Sequence, residues 1–271
     1  MKTQKNKEKQ LQVTFLHDCL LIEEMLVIGD LHIGYDEQSN EESILPGMQL
    51  QDIIKKLDEI FLFLEEHNKK IKKIIQLGDL KHDFGKITKT EWRETLILLN
   101  YFIKKVGNTN VFILRGNLDT FLKPIVARLN IKLKDIFVTK KKGRQLLFAH
   151  GDVINNKRGN YLKNSFKRFD KSNIIFLGHL HPAITLSNRY KKEKYKCFLH
   201  GLWNKKEVYI LPSFSSFSLG YDLNHKNINY GKNKKEFFVI PYSVLKKFKV
   251  IIYNVEEERE YNFGILEKLL L

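Results

Sequence analysis

The chain has 271 residues but only two cysteines, Cys19 and Cys197, which lie far apart and form no CxxC pair. That excludes a disulfide scaffold and a thiolate zinc site, and leaves both as small core residues. Long apolar runs are missing too: none approaches the roughly 20 residues a membrane span needs, so no membrane partner is expected. Residues Met1 to Gln10 are polar and lysine-rich, without the apolar stretch of a secretory signal. They read as a basic disordered tail (1–10), ahead of a single domain over 11–271. No repeat of fixed period and no long linker divides that span. The expectation is a soluble, cytoplasmic protein. Arginine is scarce beside lysine, although the net charge is +16 and the pI about 9.6. Such an excess attracts polyanions such as DNA or RNA; compositional bias or a thermophilic surface is the competing explanation.

What is present is one recurring pattern, an apolar run followed by a metal-type donor. Met25-Leu26-Val27-Ile28 leads into Gly29-Asp30-Leu31-His32, and Ile74-Ile75-Gln76-Leu77 into Gly78-Asp79. Val111–Leu114 leads into Arg115-Gly116-Asn117, Leu146–Ala149 into His150-Gly151-Asp152, and Ile174–Leu177 into Gly178-His179-Leu180-His181. Near-continuous apolar strands belong to sheets covered on both faces. Such sheets bind ligands at the carboxyl ends of their strands. In an extended backbone, residues two apart point to one side, so Asp30 and His32 are expected to reach one ion together.

Between these runs, Ile53, Ile54, Leu57, Ile60, Phe61 and Leu64 recur at helical spacing within Gly47–Asn68. Trp92, Leu96, Leu99, Phe102 and Ile103 do the same within Thr88–Val106. Alternating strands and helices argue for an α/β fold. His17-Asp18 reads as a hairpin turn between Gln12–Leu16 and Cys19–Ile22. The second half is mostly short strand candidates, among them Ala183–Leu186, Lys196–His200, Glu207–Leu211, Phe237–Ile240 and Lys249–Tyr253. One helix is expected there, over Arg158–Phe169, and a polar loop over Asn224–Lys235. This suggests a second sheet packed on the first.

Taken in order over residues 29 to 181, the motifs Asp-x-His, Gly-Asp, Gly-Asn, His and Gly-His-x-His resemble the signature of the calcineurin-like metallophosphoesterases. Gly-Asp-Leu-Lys-His (78–82), Gly-His-Leu-His-Pro (178–182) and Leu-Pro-Ser-Phe (211–214) resemble archaeal phosphoesterases related to the nuclease SbcD, a narrower likeness that reaches about Asn224. The resemblance implies a four-layer α/β/β/α sandwich of two mixed sheets flanked by helices. It implies a dinuclear metal-dependent phosphoesterase acting on phosphodiester or nucleotide substrates. Two cations about 3.5–4 Å apart activate a shared water and clamp the substrate oxygens. By the same resemblance Asp79 bridges the two ions, Asp30, His32 and His181 complete one site, and Asn117, His150 and His179 the other. Mixed Asp, Asn and His donors suit divalent transition metals, with Mn first and Fe, Zn or Ni as alternatives.

One departure bears on catalysis. The family usually carries a histidine after Gly-Asn in the third motif, and this chain has Gly116-Asn117-Leu118-Asp119. Losing a general acid typically costs about 10²–10⁴ in rate. Asp119, which would hold that histidine, is expected to lack its usual partner. His82, just past Asp79, is the candidate substitute, or else a polar loop residue. Asp79, Asp119 and His82 are thus the catalytic candidates. Arg115 and Asn117 are candidates for substrate contact, with a salt bridge the alternative for Arg115. A second function class stays open: a nucleic-acid-binding protein with a vestigial metal centre. Its basic patches would be Lys140–Arg144, Lys163–Lys171 and Arg189–Lys196, interleaved with Phe166, Tyr190 and Tyr195. Phe214, Phe217 and Leu219 are either an exposed apolar patch or core.

Overall fold

A computed structural model describes residues 11–38, 47–85, 87–152, 168–187, 191–224 and 238–270. Three short apolar strands open it: β1 (Val13–Leu16), β2 (Cys19–Ile22) and β3 (Met25–Ile28), paired antiparallel. Leu16 faces Cys19 across the register, so His17 and Asp18 form a two-residue turn. Asp18, the second of the two, takes a positive φ of 52°. There follow α1 (Tyr35–Gln38), α2 (Met48–Glu66), β4 (Lys73–Gln76), α3 (Lys89–Val106), β5 (Val111–Leu114), α4 (Lys123–Arg128) and β6 (Leu133–Lys134). Strands β4, β5 and β6 add parallel to β3, which completes a six-stranded mixed sheet in the order β1 to β6. Helices α2 and α3 are the crossovers that parallel neighbours require.

The second half supplies β7 (Ile136–Lys141), β8 (Arg144–Ala149), β9 (Ile174–Leu177), β10 (Pro182–Ser187), β11 (Lys192–Lys196), β12 (Phe198–Trp203) and β13 (Lys206–Ile210). It ends with β14 (Tyr221–Asp222), α5 (Tyr242–Leu245), β15 (Lys249–Asn254) and β16 (Arg259–Ile265). A seven-stranded mixed sheet runs β16-β15-β12-β13-β9-β8-β7, while β11-β10-β14 form a separate small sheet.

Period-two alternation divides the apolar side chains between layers. Val27 and Ile75 of the first sheet meet Phe148, Phe176 and Tyr209 of the second in a core between the sheets. Phe176 stacks on Phe148 and on Tyr209, with centroids 4.9 and 5.2 Å apart. Leu26, Ile28 and Ile74 face the other way, onto Ile53, Leu57 and Leu64 of α2 and Leu98, Leu99 and Phe102 of α3. Leu147, Ile175, Leu199 and Val208 cover the outer side of the second sheet together with Ile184 of β10, Leu245 of α5 and Phe248. The layer order is the expected α/β/β/α sandwich. Among the described residues its fourth layer is α5 together with the three-stranded sheet.

Several local expectations change. The buried stripe of α3 centres on Thr95, Leu98, Leu99 and Phe102, while Trp92, Leu96 and Ile103 flank it. The strand expected over Lys196–His200 breaks at Cys197, whose N–H turns to donate to Pro182 O at 3.0 Å. Phe237 lies outside the described residues, and within 238–240 only a bridge between Asp152 and Phe238 forms. Strand β16 was not anticipated, because on this sheet edge its residues are mostly exposed and polar. Phe214 is core, Phe217 is half-buried and Leu219 is exposed. The tail at 1–10, the loop beyond Asn224 and the helix expected at Arg158–Phe169, except for its last two residues, lie outside the described residues. No helix among the described residues is long and apolar enough to cross a membrane.

Candidate metal centre

Strands β3, β4 and β5 end together as parallel neighbours in one sheet, and β8 and β9 do so in the other. Each motif follows directly on one of these ends. The geometry expected for Asp30-Leu31-His32 is not what forms. Strand β3 stops at Ile28, and Asp30 and His32 have φ of 54° and 50°. Asp79, His179 and His181 share this left-handed conformation, at 50°, 65° and 46°. Non-glycine residues seldom adopt it, at a cost on the order of 1 kcal/mol or more each. Backbone bonds hold these turns: Asp30 N–H donates to Gly78 O at 3.2 Å and His32 N–H to Asp79 O at 3.0 Å. Turns, rather than the pleat of a strand, converge the donors.

The result is two groups of donor atoms, Asp30 with His32 and His181, and Asp79 with His150 and His179; within each, the atoms lie within 4.8 Å of one another. His32 Nε2 is 3.2 Å from His181 Nε2, which is 3.1 Å from Asp30 Oδ1. His150 Nε2 is 3.1 Å from His179 Nδ1, 3.3 Å from Asp79 Oδ2 and 3.1 Å from Asn117 Oδ1. The groups adjoin, with His150 Nδ1 3.7 Å from Asp30 Oδ1. All seven residues expected as ligands therefore stand at one edge of the sandwich.

Their supports were only partly legible beforehand. His150 Nδ1 lies 3.0 Å from Leu77 O, which fixes the tautomer and frees Nε2 for the group. Gln49 of α2 donates to Leu31 O and His32 O at 3.1 and 2.8 Å, and accepts from Gly34 and Tyr35 N–H. Ser213 Oγ donates to Asp30 O at 2.8 Å. The Ser213–Ser215 segment is held in turn by Lys196 Nζ, which donates to Ser213 O and Ser215 O at 2.9 and 2.6 Å. Lys56 Nζ donates to Phe214 O at 3.1 Å, and Asp18 pairs with both lysines, at 2.6 and 3.6 Å. Glu91 accepts from His82 and Asp83 N–H at 2.9 and 3.0 Å. It sits three residues after the N-cap Thr88, a capping-box spacing readable in the sequence. Glycine is required where backbones touch: a Cβ on Gly78, at φ 109°, would stand 2.6 Å from His150 Nδ1, and one on Gly116 would collide with the Asp79 carboxylate.

Asp119 has no histidine partner, as the Leu118 substitution implies, and backbone amides hold it instead. It accepts from Gly116 N–H at 2.8 Å and from Leu80 and Lys81 N–H at 3.1 and 3.4 Å. It thus straps the second motif to the third, and burial together with the Asp79 charge raises its carboxyl to about 7. Burial would raise the Asp30 and Asp79 carboxyls too, yet His181 beside Asp30 and His150 beside Asp79 hold both below their ordinary range. Burial and His181 press His32 down to about 3. Burial would lower His150 as well, but Asp79 and Asp30 carry it to about 10.

His82 Nδ1 lies 3.5 Å from His32 Nδ1, beside the first group. Leu118 N–H donates to Asp79 Oδ1 at 2.9 Å, so this residue serves the site through its backbone. The Arg115 guanidinium is turned to Asp135 at 3.8 Å. Of the basic patches, Arg144 pairs with Glu207 at 3.1 Å, and Lys192–Lys196 is strand β11 with Tyr195 exposed. Phe166, Tyr190 and most of Lys163–Lys171 lie outside the described residues.

These donors fit cations. Paired imidazole nitrogens about 3 Å apart direct lone pairs at each other unless a proton or an ion lies between them. Each pair is also flanked by a buried carboxylate. Mixed N/O donors of this kind are transition-metal ligands.

The model of the calcineurin-like phosphoesterase family matches residues 24–211. The nuclease MPE of Pseudomonas putida is similar in structure, with a TM-score of 0.52 and 17% identity over 94% of this chain and 100% of that one. A predicted phosphoesterase of Streptococcus pneumoniae gives 0.33 and 12% over 88% and 96%. A hypothetical protein of Pyrococcus horikoshii gives 0.40 and 11% over 88% and 86%. No curated protein matches the sequence significantly.

Proposed function

This chain belongs to the calcineurin-like phosphoesterase family, and from that membership we propose that it is a dinuclear metal-dependent phosphodiesterase acting on nucleotide or polynucleotide esters. The observation that carries the proposal is the adjoining pair of donor groups, Asp30–His32–His181 and Asp79–His150–His179. Asp79 would bridge them, with Asn117 completing the second. Two divalent cations, Mn first among the alternatives, would supply a water that is nucleophilic near neutral pH and would neutralise the phosphoryl oxygens.

The chain's own part is positional. Leu77 O orients His150, Asp119 fixes the loops that carry Asp79 and Asn117, and Ser213 with Gln49 fixes those that carry Asp30 and His32. Leu118 offers the leaving group no proton. Among the described residues, His82 is the nearby imidazole outside the two groups, and it is our candidate donor. The net charge of +16 supports an anionic polymer as substrate.

The test is hydrolysis of bis-p-nitrophenyl phosphate by purified protein with added Mn²⁺, beside Asp79→Ala. Activity that disappears in the variant supports the proposal; equal rates in both proteins refute it. Leu118 favours a second reading, a polyanion-binding protein with a weakened centre. An inactive wild type whose DNA or RNA affinity falls steeply with salt would select that reading.

A further inference from the structure

We propose that Tyr35, His82 and Phe217 form a stacking subsite for an unpaired nucleobase next to the Asp30–His32–His181 group. The proposal rests on the phosphodiesterase reading for its phosphate and goes beyond it by naming what binds alongside.

A continuous row of rings leaves the centre in one direction. His181 meets His32 at 4.9 Å between centroids, His32 meets His82 at 5.5 Å, His82 meets Tyr35 at 5.0 Å and Tyr35 meets Phe217 at 6.5 Å. The first two rings are donors. The last three are only half-buried and present free surface to solvent. Core packing alone does not require three aromatic residues at a polar mouth.

The row is held in place by the scaffold that holds the donors. Tyr35 N–H donates to Gln49 Oε1 at 3.0 Å, the same Gln49 that binds His32 O. His82 N–H donates to Glu91. The segment that carries Phe217 is pinned on both sides, by Ser218 N–H to Ser215 O at 3.2 Å and by Tyr221 N–H to His181 O at 2.6 Å. Rings fixed in this way lose little entropy on binding. The segment that carries Phe217 also binds a cation, since Lys194 Nζ of the exposed edge strand β11 donates to Gly220 O.

The lining selects the occupant. An acyl chain would be matched by aliphatic walls, whereas these rings carry a phenol and an imidazole on their edges and offer π faces to a heteroaromatic partner. A base within a duplex has both faces covered, so the occupant is unpaired: a strand end, a single strand or a nucleotide. Base–aromatic stacking changes affinity by roughly 5- to 100-fold per base.

The test compares dissociation constants for thymidine 5′-monophosphate and 2-deoxyribose 5-phosphate, which differ only in the base. It uses the full-length protein as wild type, Phe217→Ala and Phe217→Trp. The expected result is tighter binding of the nucleotide by wild type by roughly 5-fold or more, a ratio that falls toward one in Phe217→Ala, and a ratio restored in Phe217→Trp. Equal affinities in wild type, or a ratio unchanged in Phe217→Ala, overturn the proposal. Turnover of methyl p-nitrophenyl phosphate with Mn²⁺ by the same wild-type sample is read separately. Its absence counts against the phosphodiesterase reading and leaves the binding ratio to decide this one.

Discussion

Replacing Lys196 with methionine separates stability from site geometry. Lys196 is largely buried; its ammonium bonds Ser213 O and Ser215 O and lies 3.6 Å from Asp18. Burial, opposed by Asp18, holds it down to about 8 from the usual 10.5. A lysine depressed in the fold is protonated there less readily than in the unfolded chain. Between pH 8 and 10.5 the unfolded chain therefore binds more protons, and stability rises with pH. The difference corresponds to about 3 kcal/mol across that window. In Lys196→Met this rise is absent. At neutral pH the variant is relieved of that buried charge but leaves Ser213 O unpaired, at about 1–3 kcal/mol, while Ser215 O keeps the Ser218 N–H. The net change in stability is thus small, within about 2 kcal/mol of wild type. The larger effect falls on the Ser213–Ser215 segment that anchors Asp30. Changes one layer behind a metal ligand typically cost about 10–100-fold in metal affinity, and Lys196 stands one layer further back, so a loss of up to about 10-fold is expected. The assays are urea unfolding of metal-free protein from below pH 8 to about 10.5 and Mn²⁺ titration. Unfolding is read as wild type minus variant, because the buried Cys19 and Cys197 thiols, pushed up by burial, lower stability over the same alkaline range. A variant that keeps the alkaline rise, or that binds Mn²⁺ as tightly as wild type, refutes the argument.

Leu118→His places an imidazole where the third motif lacks one. Turnover of bis-p-nitrophenyl phosphate should rise by about 10² or more, and an unchanged kcat would show that the leaving group needs no acid here. Gly116→Ala drives a Cβ into the Asp79 carboxylate and backbone. Thermal unfolding should show a loss of about 1–3 kcal/mol along with impaired Mn²⁺ binding, and a variant with wild-type values for both would mean that the loop gives way freely.

The five strand-end motifs were legible because strands covered on both faces must be apolar throughout, which makes the donors after them conspicuous. The left-handed turns were not. Nothing local in Asp30-Leu31-His32 demands positive φ; bonds from Gly78 and Asp79, some fifty residues on, impose it. Gln49 and Lys56 resembled solvated positions on an amphipathic helix, and only the fold reveals that Gln49 reaches the first motif and Ser215, and Lys56 the Ser213–Ser215 segment. The partners of Asp119 were hidden for a related reason. Its three partners are backbone amides, which any sequence possesses, so no residue identity advertises them. Strand β16 escaped because an edge strand can be polar on both faces when pairing with β15 alone holds it.

Each donor group draws on both sheets. Asp30 and His32 follow β3 and His181 follows β9; Asp79 follows β4, with His150 and His179 after β8 and β9. An ion bound to either group would act on folding as a cross-link between two layers that are otherwise joined by apolar contact and by hydrogen bonds at this edge. Ligand bound only by the native state stabilises it by RT ln(1 + [L]/Kd), about 2.7 kcal/mol at a hundredfold excess over Kd. The melting temperature would then serve as a gauge of occupancy, and a chelator would loosen the sandwich along the edge that carries the donor groups.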